Sequence, residues 1–137
     1  MTDRYFGQGG NPANDGLTFA TRKLTYASIS GSIAAGDTVY ICAAAAGAGN
    51  RWTNTEQINI VGGTAGNVVT YTVYPGHYVL MEVSTAADTE AAIQGENQDY
   101  FEINPGDGFL ELGDASDWNP VSPSNGQRNF AARRQVN

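Results

Sequence analysis

Glu102 and Glu111 are the residues of this 137-residue chain best spaced to act as a carboxylate pair. They stand nine positions apart across the turn Asn104-Pro105-Gly106-Asp107-Gly108, each alternating with apolar neighbours in a strand-like run. If those two strands pair, the carboxyl groups approach closely. Glycoside hydrolysis needs that arrangement, one group to protonate the leaving oxygen and the other to attack or to activate water. The same pattern is also the ordinary solvated face of two strands. The sequence favours that second reading, so Glu102 and Glu111 form an acidic surface site and no catalytic residue is assigned.

Asp99, Asp107, Asp114 and Asp117 lie around the pair. They are numerous enough to supply much of the roughly six to eight oxygen ligands that Ca²⁺ takes. No D-x-D-x-D-G register ending in Glu is present, and solubility explains these residues more simply, so no metal is assigned. His77, the one histidine, sits at the Pro75-Gly76-His77 corner without a Ser or Cys pattern that would make a triad. It reads as a turn residue. Cys42 cannot form an internal disulfide and reads as a small buried hydrophobe beside Ile41. Gly7-Gln8-Gly9-Gly10 and Val61-Gly62-Gly63-Thr64-Ala65-Gly66 lack the Lys-Ser/Thr ending of a phosphate loop and read as corners, so no cofactor is expected.

Trp52, Trp118 and the seven tyrosines suit either a sugar-stacking platform or a protein interface. The charge distribution favours the interface. Net charge is −7, and no Lys or Arg occurs from Trp52 to Gln127. Three of the seven basic residues, Arg128, Arg133 and Arg134, fall in the last ten positions. A basic end on an acidic body suits docking on another acidic surface or on a neighbouring copy, and the body repels nucleic acid. Trp118, Arg128, Phe130, Arg133 and Arg134 are therefore the expected partner-binding residues. No apolar run approaches the ~20 residues of a membrane span, and no basic leader precedes an apolar stretch. The expectation is synthesis in a cytoplasm and no membrane partner.

These residues need strands to hold them. Seventeen glycines with only 15% charged residues, and many Val, Ile, Thr and Tyr, argue for an all-β chain. Val39 and Ile41, Ile58 and Ile60, Val69, Tyr71 and Val73, and Val79 and Met81 alternate with polar or outward positions. So do Phe101 with Ile103 and Leu110 with Leu112. Short strands recurring between Gly-rich corners, with no helical partners, must stack on one another to bury their apolar faces. From Thr21 to Ala35 the spacing of Leu24, Ala27 or Ser28, and Ile33 predicts a short helix with Thr21 as N-cap and Gly36 as terminator. Residues 1–16 are too rich in Gly and Pro for a regular element and read as an N-terminal arm. Residues 17–117 form the body and 118–137 an extended tail.

Asn14-Asp15-Gly16-Leu17, then Gly36-Asp37-Thr38-Val39-Tyr40-Ile41, then Gly63-Thr64-Ala65-Gly66-Asn67 before the next strand, resemble the start of right-handed parallel β-helix proteins of the pectin-lyase-like superfamily. The resemblance spans about residues 11–112 and implies a short right-handed parallel β-helix of about two to three coils with an N-terminal capping helix. That superfamily includes polysaccharide lyases and hydrolases, bacterial surface proteins, and bacteriophage tailspikes and virion appendages. Its lyase chemistry uses Ca²⁺ held by carboxylates and an Arg or Lys base, and no such base lies within 52–127.

With so few coils, the ends of the stack are nearly as large as its body, and neighbours are expected to complete it. The leading expectation is a bacteriophage virion structural protein, a capsid decoration (cement) protein that is not an enzyme. Its expected partners are the major capsid protein or another virion protein and, as a homotrimer, itself. The alternative is a polysaccharide-binding or polysaccharide-degrading module of a tailspike.

Overall fold

The computed structural model describes residues 1–44, 51–81 and 92–112, and the backbone of 130–133. Within these residues the strands are β1 (Asp3–Gly7), β2 (Thr38–Cys42), β3 (Trp52–Asn54), β4 (Ile58–Asn59), β5 (Val69–Val73), β6 (Tyr78–Met81), β7 (Ile93–Glu96), β8 (Phe101–Ile103), β9 (Phe109–Leu112) and β10 (Phe130–Arg133). A single four-residue helix, α1 (Ala27–Ser30), accompanies them. The all-β class is as expected.

The strands build three sheets, ordered β1-β2-β5-β8, β3-β6-β9 and β4-β7-β10, and every ladder is parallel. From β2 onward the chain visits the three sheets in rotation, so each strand pairs with the one three places later. Register lines up the inward-facing residues of successive layers. Val39 stands opposite Tyr71, which stands opposite Ile103. Phe6, Ile41 and Val73 form a second column. In the second sheet, Asn54, Met81 and Leu112 are in line. Because side chains alternate faces along a strand, these columns point to one interior.

That interior holds Val39, Ile41, Ile58, Ile60, Val69, Tyr71, Val73, Val79 and Met81, all buried as the alternation predicts, together with Phe6, Tyr26, Ile29 and Ile93, which it did not name. Leu80 departs from the pattern and is buried beside Val79 and Met81. Gly95 lets two layers meet, since a Cβ there would lie 2.9 Å from the Phe101 ring.

Two expectations are corrected. The predicted helix over 21–35 shrinks to α1, ended by Gly31 rather than Gly36, and Thr21 is not its cap. Thr21 instead donates its hydroxyl to Asp15 Oδ1 at 2.6 Å. Thr25 and Ser28 bond each other and the local backbone, the competition that makes such residues poor helix formers. The inward residues are Tyr26 and Ile29, while Leu24 is exposed. Residues 3–7, read from sequence as part of an extended arm, form β1 and pair in register with β2.

The two ends of the stack differ. On the outer side of β1, Tyr5 N–H donates to Gly16 O at 2.8 Å, Lys23 N–H donates to Tyr5 O at 3.0 Å, and Gly7 N–H donates to Lys23 O at 2.9 Å. Segment 16–23 thus satisfies that edge, and the buried Ile29 of α1 joins the core beside it. At the opposite end, β8 and β9 are the last strands of their sheets among the described residues. Their inward side chains, Phe101, Ile103, Leu110 and Leu112, are half-buried or exposed, whereas their register partners one layer below, Val69, Tyr71, Val79 and Met81, are fully buried.

Candidate functional site

Glu102 lies on β8 in the first sheet and Glu111 on β9 in the second. No ladder joins those strands, so the pairing that would bring the two carboxylates together is not formed. Glu102 is exposed, with Asn104 Nδ2 donating to it at 3.3 Å.

Glu111 belongs to a different group, which the sequence did not single out. On the outer face of the second sheet, Arg51 donates to Glu111 Oε2 at 3.1 Å, and the Tyr78 hydroxyl donates to the same oxygen. The Arg51 guanidinium also sits 6.0 Å from the Tyr78 ring centre, at the outer limit of a cation–π contact. The carboxylate raises the proton affinity of both neighbours, Arg51 and Tyr78, through these hydrogen bonds first. Strand register explains the meeting. Tyr78 is opposite Phe109, and Glu111 is two residues further along the same face. Arg51 immediately precedes β3, one layer below Tyr78 and two below Glu111. Sequence could not place Arg51 here, because it lies sixty positions from Glu111.

Aromatic side chains line the outer face of the first sheet. Tyr5 and Tyr40, in register, stack at 4.8 Å with planes 7° apart. Tyr40 meets Tyr74 edge-on at 6.0 Å, and Phe19 stacks on Tyr74 at 4.6 Å. The Arg22 guanidinium covers Phe19 at 4.3 Å. These rings spend their faces on one another. Trp52, the other platform candidate, packs half-buried against the core.

His77 is more than a turn residue. Its buried ring contacts Phe19 and Tyr74, and its Nδ1 accepts the Ala43 N–H at 3.1 Å. Burial first, and the Arg22 charge second, lower its proton affinity and keep it the neutral acceptor this bond needs. Cys42 is buried as expected, and desolvation pushes its thiol up to about 12.

Among the acidic run, Asp114 and Asp117 lie outside the described residues. Within the described residues, no three His, Cys, Asp or Glu side chains converge as metal ligands would. Of the expected partner-binding residues, Trp118, Arg128 and Arg134 also lie outside the described residues. Phe130 and Arg133 belong to β10, whose backbone pairs with β7 and sets Arg133 in register with Glu96.

No protein-family model matches this chain, and no curated protein matches it. Among solved structures it is similar to a rhamnogalacturonan lyase, at 16% identity and a TM-score of 0.55 over 77% of this chain. The chain spans 28% of that lyase's length. Likeness at this identity speaks to fold alone, a β-rich architecture of parallel sheets.

Proposed function

We propose that this chain forms the opening coils of a right-handed parallel β-helix and serves as a structural part of a bacteriophage virion, a capsid decoration protein rather than an enzyme. The observation that carries this reading is the inequality of the two ends among the described residues: one is closed by the chain's own backbone, while at the other the inward side chains of the last layer are half-buried or exposed. An uncovered layer of stacked strands is a contact surface, and stacked coils gain stability from neighbours. The virion setting rests on the family resemblance and on an acidic body carrying a basic terminal segment. The major capsid protein is the partner, and the chain acts as a homotrimer on the shell.

Capsid shells incubated with the full chain and with a version lacking residues 118–137 test this reading. Occupancy of shells by the full chain and its loss on truncation are expected. Equal occupancy by both forms would remove residues 118–137 from the mechanism, and no occupancy by either would remove the capsid.

The cluster of Arg51, Tyr78 and Glu111 favours a second reading, a module that binds acidic polysaccharide. An outward guanidinium beside an aromatic ring and a carboxylate can bind a uronate through charge and hydroxyl hydrogen bonds. Retention on immobilised uronate polymers, abolished by Arg51→Ala, or new unsaturated ends abolished by Glu111→Gln, would place this reading first.

A further inference from the structure

We propose that His77 is an acid-sensitive latch: a proton taken up on its Nδ1 frees the end of β2 at Ala43 and loosens the Phe19 to Arg22 segment packed on the ring, while the parallel stack stays folded.

The latch is a closed ring of contacts among three separate stretches of chain. The buried His77 ring, at the corner between β5 and β6, accepts the Ala43 N–H through Nδ1 at 3.1 Å. Next to it the Ala44 N–H donates to Gln8 Oε1 at 3.0 Å, and the Gln8 N–H donates to Cys42 O at 2.9 Å. Arg22 Nε donates to Gln8 O at 2.8 Å and its Nη1 to Phe19 O at 2.7 Å. The Phe19 ring closes the circuit by meeting His77 edge-on at 5.4 Å. Ala43 and Ala44 lie past the last ladder partner of β2, so two side-chain acceptors hold this exit, and one of them titrates.

An imidazole that accepts at Nδ1 carries its single proton on Nε2. A second proton, from solvent, must sit on Nδ1 and face the Ala43 N–H. The acceptor becomes a donor and the bond is lost. Among the described residues no opposite charge offsets the new one. At its own corner the ring faces Tyr74 at 4.8 Å, and segment 16–23 presents Phe19 with the Arg22 guanidinium over it. β2 contributes the Tyr40 phenol and the Cys42 thiol, both uncharged because burial raises their proton affinity. β9 gives the Phe109 N–H to His77 O, while its carboxylate, Glu111, binds Arg51 and Tyr78 instead. Asp107 meets this corner through its carbonyl, which accepts the Gly76 N–H, and is exposed. The charge acting on the imidazole is therefore that of Arg22, of the same sign. A protonated ring is relieved by moving toward solvent, away from Ala43 and Phe19. That exit parts at less cost than the ladders do.

Amide hydrogen exchange of the full chain, followed by NMR and corrected for intrinsic rates, tests the latch. Ala43 protection should fall by up to about tenfold per pH unit from about pH 6.5 downward, the slope for one linked proton, until the lower folded-state value of His77 is reached. Opening at Ala43 should be nearly insensitive to dilute urea. Ile60, whose N–H donates to Gln94 O of β7 at 2.7 Å, should open only with the urea dependence of global unfolding. His77→Gln should keep Ala43 protected and remove its pH slope. Arg22→Gln should raise the pH at which the imidazole signals titrate. An Ala43 amide that shares the urea dependence of Ile60 at every pH, a slope that survives in His77→Gln, or an imidazole that titrates at its ordinary value in the parent overturns the proposal. The first and last of these are read on the parent chain alone, so they decide the matter even where a variant fails to fold.

Discussion

The Asp37 carboxylate and the Arg4 guanidinium meet at 3.2 Å where β1 and β2 begin, and Asp37 is nearly inaccessible to solvent. The same carboxylate accepts the Thr2 N–H at 2.8 Å and the Ala34 N–H at 3.0 Å. One side chain therefore ties the first strand, the approach from α1 and the start of β2 together.

Replacing Asp37 by Asn should lower stability by about 2 kcal/mol, the usual cost of losing charge-assisted hydrogen bonds, and replacement by Ala should cost about 3 kcal/mol by orphaning two backbone donors. Burial raises the Asp37 proton affinity, but the bonds from Ala34, Arg4 and Thr2 outweigh it and hold the carboxyl below its ordinary range. A depressed carboxylate contributes its stability fully above the ordinary value and loses it as pH falls through the lower folded-state value. Urea denaturation of parent and Asp37→Asn at neutral and acidic pH should show the two curves converging in acid.

His77 gives a second pH dependence in a higher window. Its folded-state proton affinity is reduced, so the unfolded chain binds the proton more readily. Stability should be complete above the ordinary imidazole value and decline as pH falls through it toward the lower folded-state value. His77→Gln keeps an acceptor for the Ala43 N–H without titrating. The slope of urea midpoint against pH between about 5 and 7.5 should flatten in that variant.

Tyr71 spans the interior and ends in a hydrogen-bonded hydroxyl. Its oxygen accepts the Val61 N–H at 2.8 Å, its proton can reach Val61 O at 3.1 Å, and the Tyr26 hydroxyl lies 3.3 Å away. Tyr71→Phe keeps the packing and strands the Val61 donor. A loss of about 1–2 kcal/mol is expected, measured by urea denaturation, with little change in the far-ultraviolet spectrum.

Cys42 should resist alkylation in the folded protein, because it is buried and its thiol is pushed up to about 12. Iodoacetamide at mildly alkaline pH should modify it quickly in urea and hardly at all without. Rapid labelling of the native chain would show that the stack opens readily at the C-terminal end of β2.

The alternation of apolar residues made the strands legible, because Val39, Ile41, Ile58, Val69, Tyr71, Val73 and Met81 point inward wherever the period of two is kept. The corners were legible for a similar reason. Asn14 to Leu17 forms a turn in which Asp15 accepts the Leu17 N–H at 3.0 Å, and Thr64 and Asn67 exchange backbone bonds around Gly66, whose φ is +80°. What stayed hidden depends on pairing between distant segments. β1 was obscured by Gly7 at its end and the glycines that follow, yet Gly7 must be glycine, since a Cβ there would lie 2.0 Å from Cys42 O. Helical spacing over 21–35 misled because local hydroxyl bonds and the pull of Ile29 into the core outweigh it. Glu111 was visible as an acidic residue, but its meeting with Arg51 and Tyr78 follows from sheet order, which no local pattern carries.

The occupied outer side of β1 limits what this protein can build. Fibrils grow when each added molecule presents the same bare edge it has just covered. Here the Gly16 and Lys23 carbonyls already accept the amides a newcomer would seek, so identical molecules cannot propagate head to tail.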